Sequence, residues 1–395
     1  MFAGSGWGLG GERREEKAFF EGEEKNVRAD SPQQLLEVLA ALDFVASSGD
    51  SHLLAAGFIS YEAGVWIEGS TSLVRSHDFL PFAEFFIFDT RRAAASRHAT
   101  EALAASARFT LEEAVSAQRS LSSEEWTERV EAVRNGIARG DVYQVNLSHR
   151  TRFAARVEPF VFARELFGRN PVPYAATLAS DGWAVVSNSP ELFLDVDLRA
   201  GRAVTKPIKG TAARGRAAGE DEAARVHLLE SAKDRAENVM ITDLLRNDLG
   251  RVALPGGVTT TALADLRTFA HLHHLESTIE AKLAPGTRLS DVLRATLPGG
   301  SVTGAPKRAA LGFIRRLEPV ARGAYAGAVG FVRGDGKAVF NVAIRTALLG
   351  RSTVDYHAGG GIVWDSDAAA EWDETQTKSR EMEGFLKARA GAVRG

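Results

Sequence analysis

Lys209 is the residue whose surroundings point most directly to chemistry. It lies in Lys206-Pro-Ile-Lys-Gly-Thr-Ala-Ala-Arg214, between a proline-fixed backbone and a glycine, so its amine is presented from a constrained segment. A held amine facing carboxylates can act as a nucleophile or a base. A solvated surface lysine fits the same short motif. Residues 191–198 and 202–208 read as strands around the turn Arg199-Ala200-Gly201. A loop of that length sets Leu192 against Ile208 and Val196 against Val204, and it places Glu191 opposite Lys209 on the other face. The pair reads either as a cross-strand salt bridge or as an amine with an acid/base carboxylate at hand.

Two helical glutamates are candidate metal ligands. Glu237 sits on the shoulder of an apolar stripe formed by Ala236, Val239, Met240 and Leu244, where a carboxylate is expensive unless partnered. Near the C-terminus, Glu371, Glu374 and Lys378 share one helix face. Glu374 and Lys378 also read as an ordinary i,i+4 ion pair. Oxygen ligands in a chain with no cysteine favour Mg²⁺ over zinc or copper. Two glycine-rich turns, Pro298–Lys307 and His357-Ala-Gly-Gly-Gly361, could hold an anion on backbone N–H groups, and Arg345 suits a carboxylate. Structural turns and a surface arginine are the plain alternatives.

The elements that must position these residues follow from periodicity and punctuation. Helices are expected from Ser31, over 122–139 with a Ser122/Glu125 capping box, and over 220–248, 289–296, 304–317 and 367–390. Strands are expected at 54–61, 82–89, 143–148, 174–187, 191–198, 202–208, 324–333, 338–348 and 353–357. The first 20 or so residues read as flexible, and 91–121 as a linker with helical tendency. Residues 1–115 therefore read as an N-terminal region feeding a shared sheet core, and 120–390 as the catalytic region, together one compact unit. Paired strands with helices between them indicate a mixed α/β or α+β fold rather than a strict βαβ series.

Composition narrows the function classes. A net charge of −3 gives no general attraction to nucleic acid or to an anionic membrane. No apolar run approaches the ~20 residues of a membrane span, and no signal peptide is evident, so the cytoplasm is the expected location. The absence of cysteine excludes disulfides and a cysteine nucleophile.

Taken together, the motifs resemble the chorismate-binding enzyme family from about Glu124 to Lys387. They run in order through Gly140–Ser148, Ser187–Phe193, Pro207–Thr211, Asp234–Arg251, His274–Ser277, Pro298–Lys307, Tyr325–Gly330 and His357–Lys378. The resemblance implies an α+β sandwich of two large antiparallel sheets flanked by helices. Within the family, lysine at 209 resembles the branch that makes 4-amino-4-deoxychorismate for para-aminobenzoate and folate, whereas the anthranilate-forming branch has alanine there. Gly57–Gly64 resembles the same branch.

On that resemblance Lys209 is the nucleophile, Glu191 the general acid and His274 an active-site histidine. Glu237 and Glu374 hold Mg²⁺, while Thr303, Gly304, Arg345, Gly359, Gly360, Gly361 and Lys378 hold the carboxylates of chorismate. Ammonia comes free or from a separate glutamine amidotransferase subunit, because this sequence has no cysteine for one. Anthranilate, isochorismate or salicylate synthesis, and a non-catalytic chorismate-binding subunit, are the competing readings.

Overall fold

A computed structural model describes residues 1–3, 7, 17–18, 25–93, 117–215, 217–269 and 272–392. The expected flexible N-terminus and the 91–121 linker lie largely outside the described residues.

Two antiparallel sheets are stacked between helices. In the first, the strand order is Gly304–Ala305, Gln144–Ala154, Thr353–Ile362, Thr346–Leu349, Trp183–Ser189, Tyr174–Ser180, Phe2–Ala3 and Lys17–Ala18, with Ala117–Arg119 also on Gln144–Ala154. In the second it is Ile208–Ala213, Leu272–Leu283, Arg202–Lys206, Leu192–Asp197, Lys337–Val342, Ala328–Arg333, Leu53–Ile59, Ala83–Asp89 and Lys25–Ala29, with Ala253–Thr268 also on Leu272–Leu283.

Side-chain alternation builds the layers. In Leu53–Ile59, Leu54, Ala56 and Phe58 join a cluster with Tyr174, Trp183, Val185 and Leu348 of the other sheet. Ala55 and Ile59 point the opposite way, into a core completed by Leu35, Val38, Leu39 and Leu42 of helix Leu35–Ser47. The outer face of the first sheet buries Phe153, Val186 and Val354 against helices Pro159–Arg169 and Ala368–Ala392. Each fully buried Phe or Leu contributes about 1.5–3 kcal/mol. No helix among the described residues is long and apolar enough to cross a membrane.

Local signals explain where the elements start. Ser122 Oγ accepts from Glu125 N–H, and Glu125 Oε2 accepts from Ser122 N–H, closing the capping box of helix Ser123–Ala138. Asp367 Oδ1 accepts from Ala370 N–H at the start of the C-terminal helix.

Several expected elements divide or extend. The helix expected over 220–248 is two helices, Ala218–Glu230 and Ala232–Gly250, because Ser231 is extended and its hydroxyl caps the second by accepting from Asp234 N–H. The strand expected over 338–348 breaks at Ala343–Arg345, where Arg345 adopts φ of 50°. The glycine run after His357 is no turn: strand Thr353–Ile362 continues through it, pairing Gly359 with Ser148, Gly360 with Leu147 and Gly361 with Asn146.

The hairpin register differs as well. Leu192 pairs with Lys206 and Val196 with Ala203, with an irregularity between Leu192 and Asp195. Pro207 has no N–H to donate, and the chain breaks there into Arg202–Lys206 and Ile208–Ala213. Lys209 thus lies on a separate strand, paired to Leu272–Leu283 rather than to Glu191's strand.

Candidate active site

A cavity of about 570 Å³ opens where the two sheets meet the helices that carry the acidic residues. Its walls bring together Glu191, Lys209, Glu237, His274, Arg345, Gly359–Gly361, Glu374 and Lys378. Residues from seven stretches of chain converge here.

Glu191 and Lys209 meet without being cross-strand partners. Glu191 is 4% exposed and follows Pro190 at the head of strand Leu192–Asp197; its N–H donates to Ser189 Oγ and its carbonyl accepts from Val342 N–H. Ser301 Oγ donates to Glu191 Oε1 at 2.9 Å. Burial pushes the Glu191 carboxyl up to about 7, and the Ser301 hydrogen bond, Lys209 and the Ile208 N–H only partly oppose that. A carboxyl poised near neutrality can deliver a proton. Lys209 is half-buried and has no salt-bridge partner within 4 Å among the described residues, although its charge bears on Glu191, Glu237 and Glu374. Gly210, at φ of 83°, turns the chain just behind it, and a Cβ there would lie 2.9 Å from Asp234 Cβ.

Three carboxylates line the opposite wall. Burial raises Glu237, offset by Lys209 and Lys233. Burial also raises Glu371, which accepts from Ser366 Oγ at 2.7 Å and packs against Gly360, where a Cβ would stand 3.0 Å from its Oε2. For Glu374, burial pushes up but Lys378, Lys233 and Lys209 pull harder, and the net direction is down. Lys378 Nζ lies 2.7 Å from Glu374 Oε1 and donates to Gly359 O at 2.8 Å.

No group of three or more acidic or histidine side chains is gathered around one point among the described residues. Magnesium does not need such a cage, since it is commonly held by one or two carboxylates with waters and substrate oxygens. The all-oxygen donor set of Glu237 and Glu374 therefore fits that ion.

His274 comes from the hairpin Ala253–Thr268 and Leu272–Leu283, which periodicity does not reveal: Ala253–Thr268 is largely exposed, pairs on one side only and carries several register shifts. The ring is 2% exposed, packs on Phe269 with centroids 4.6 Å apart, and leaves Nε2 without a hydrogen-bond partner. Burial, with Arg345 and Arg267 nearby, lowers it to about 4, so it is neutral.

Thr303 and Gly304 stand apart from the cavity. Thr303 is buried and donates to Gly299 O, and Gly304 pairs with Val145, where a Cβ would lie 2.3 Å from Gln144 O. Their neighbours Ser301 and Val302 line the cavity instead. Lys233, Asp234, Tyr325 and His357 also line it, His357 stacked on Tyr325 with centroids 5.1 Å apart. Ser301 was legible only as part of a glycine-rich turn. Lys233 and Asp234 lie within one helical turn of Glu237.

Known proteins share this sequence and this fold. Residues 9–384 match the family described as chorismate binding enzyme. Anthranilate synthase component 1 of Streptomyces coelicolor is 43% identical over 66% of this chain and 51% of its own length. Aminodeoxychorismate synthase component 1 of Klebsiella aerogenes is 42% identical over 69% of this chain and 59% of its own. The match thus spans little more than half the length of these relatives. The crystal structure of anthranilate synthase component I from Streptococcus pneumoniae superposes with a TM-score of 0.75 at 26% identity, covering 92% of this chain and 91% of that one. With its sequence matched almost from end to end and its two-sheet fold shared, the chain belongs to the chorismate binding enzyme family.

Proposed function

We propose that this chain converts chorismate and ammonia to 4-amino-4-deoxychorismate and water. The observation that carries the reading is Lys209, a half-buried amine without an ion-pair partner among the described residues, in a cavity with a carboxyl poised near neutrality. The 42% identity to aminodeoxychorismate synthase component 1 of Klebsiella aerogenes supports it.

In this mechanism the neutral amine of Lys209 attacks C2 of the chorismate ring. The two conjugated ring double bonds shift, and the C4–O bond breaks as Glu191 gives its proton to the departing hydroxyl, which leaves as water. Ammonia then adds at C4, both double bonds shift back, and the lysine leaves C2 as a neutral amine. The Glu191 carboxylate recovers a proton from the new ammonium. Arg345, Lys378 and the Gly359–Gly361 strand hold the two substrate carboxylates, and neutral His274 offers its free Nε2 to the ring substituents. Glu237 and Glu374 would hold Mg²⁺, which when bound neutralises a substrate carboxylate. Ammonia would be supplied free or by a separate glutamine amidotransferase subunit, in keeping with the "component 1" names of the relatives.

Purified protein with chorismate, Mg²⁺ and ammonium, its products resolved by mass spectrometry, tests the reading. Aminodeoxychorismate, lost in Lys209→Ala, supports it. Anthranilate is the second reading, favoured by the 43% identity to anthranilate synthase component 1 of Streptomyces coelicolor, and its appearance would displace the first.

A further inference from the structure

Behind the wall that carries Lys209 and His274, four chain segments meet at one carboxylate. Asp221 stands near the start of helix Ala218–Glu230. Its Oδ1 accepts from Arg214 Nε at 2.6 Å, from Gly215 N–H at 3.0 Å and from His273 Nε2 at 3.0 Å, while Oδ2 accepts from Arg214 Nη2 at 2.7 Å. Arg214 Nη1 also donates to Phe269 O at 3.0 Å. With its proton on Nε2, His273 accepts from the Thr268 hydroxyl at Nδ1, 2.9 Å away, so both ring nitrogens of this 1%-exposed residue are engaged. Gly215 is fitted to the node, because a Cβ there would lie 2.2 Å from Asp221 N.

The ladder alone does not fix Lys209, and the node lies just past the irregular stretch. Pairing of Ile208–Ala213 with Leu272–Leu283 shifts register between Ile208 and Thr211, the stretch that holds Lys209 and Gly210. Beyond the shift, Thr211 faces His274 and Ala212 faces His273. Adjacent residues of a strand point to opposite faces, so His274 turns to the cavity while His273 turns to the helix. Beside the helix, Leu228, Ala264 and Leu275 form a small apolar cluster apart from the main core, with Ala212, Leu229 and Leu266 packed against it. A charged node with several short bonds ties the helix to the two strands beside that cluster.

We propose that Asp221, acting with His273, is a positioning residue. It anchors the far end of the Lys209 strand to the His274 strand, so that the amine and the imidazole reach one cavity in a fixed register. The kinetic part of this proposal rests on the chorismate-using reading above, and the structural part does not.

The test uses Asp221→Asn, Asp221→Glu, His273→Gln and the Asp221→Asn/His273→Gln double variant of the full chain. Chorismate consumption is measured whatever the product, alongside amide hydrogen exchange at 208–215 and 272–276. Asp221→Asn is expected to lower kcat by about tenfold to a hundredfold, the scale of a small misplacement of reacting groups. KM for chorismate should stay within about twofold, because Arg345, Gly359–Gly361 and Lys378 lie on other elements. Exchange should quicken at 208–215 and 272–276 and not in strand 328–333. The double variant should be no worse than Asp221→Asn, and Asp221→Glu should recover part of the rate. Unchanged kcat in a folded Asp221→Asn variant, or exchange that quickens evenly across the chain, would overturn the proposal. If the unmodified protein consumes no chorismate, the functional reading fails, and local against uniform exchange still decides the positioning role.

Discussion

Replacing Glu191 by glutamine should make the protein more stable at alkaline pH while removing its acid. The Glu191 carboxyl is raised from 4.5 to about 7 by burial, which Ser301, Lys209 and the Ile208 N–H do not fully offset. A raised carboxyl holds its proton more tightly in the folded state than in the unfolded state. Its favourable contribution is therefore complete below about 4.5 and is lost as pH rises through about 7. The full rise is worth on the order of 3 kcal/mol, and most of it falls between pH 5 and pH 8. Glutamine keeps the shape and can accept from Ser301, but it does not titrate. The stability of Glu191→Gln minus that of the unmodified protein should thus grow by on the order of 2–3 kcal/mol from pH 5 to pH 8.

Urea unfolding of both proteins at pH 5, 6, 7 and 8 measures this directly. Glu62 is likewise raised to about 7 by burial, so the unmodified protein alone shows a summed slope, and the difference between the two proteins isolates Glu191. On the proposed mechanism the same group governs the pH dependence of the rate. At constant free ammonia, kcat/KM should fall as pH rises above about 7, and Glu191→Gln should lose about 10²–10⁴-fold in rate along with that limb. A stability difference flat with pH, or an alkaline limb retained in Glu191→Gln, would refute the assignment of a protonated Glu191.

Three further perturbations separate the parts of the site. Lys209→Ala should reduce aminodeoxychorismate formation to background while chorismate still binds, as read by mass spectrometry and by calorimetry; undiminished turnover would exclude the covalent step. Glu237→Gln should weaken Mg²⁺ by on the order of tenfold or more, read with Mn²⁺ as a spectroscopic probe in the absence of substrate. Gly304→Ala should destabilise by more than about 1–3 kcal/mol, because φ is 131° and Gln144 O would lie 2.3 Å from the new Cβ, yet the folded fraction should keep its KM for chorismate.

What the sequence disclosed depended on how local the cause was. Caps were legible because Ser122 and Glu125 act within one turn of helix. The juxtaposition of Glu191 with Lys209 was expected from an unbroken hairpin, and the reason differs from the outcome. Pro207 ends strand Arg202–Lys206, Lys209 moves onto a strand paired with Leu272–Leu283, and the Ile208 N–H still reaches Glu191 across the break. Proximity survived because a short chain links the two strands, not because the register was right. The glycine run at 359–361 resembled a turn by composition, but its conformation is set by the strand Gln144–Ala154 more than 200 residues away in sequence. Ser301, which donates to Glu191, has no periodicity to mark it; only tertiary packing puts its hydroxyl 2.9 Å from that carboxylate. Asp221 and His273 are hidden for the same reason, since an acidic residue near a helix start and one of two adjacent histidines acquire a joint role only when the fold brings His273 and Arg214 onto the Asp221 carboxylate. Many of the residues that line the cavity could be read from type and motif, whereas those that hold them in place are defined by contacts between distant segments.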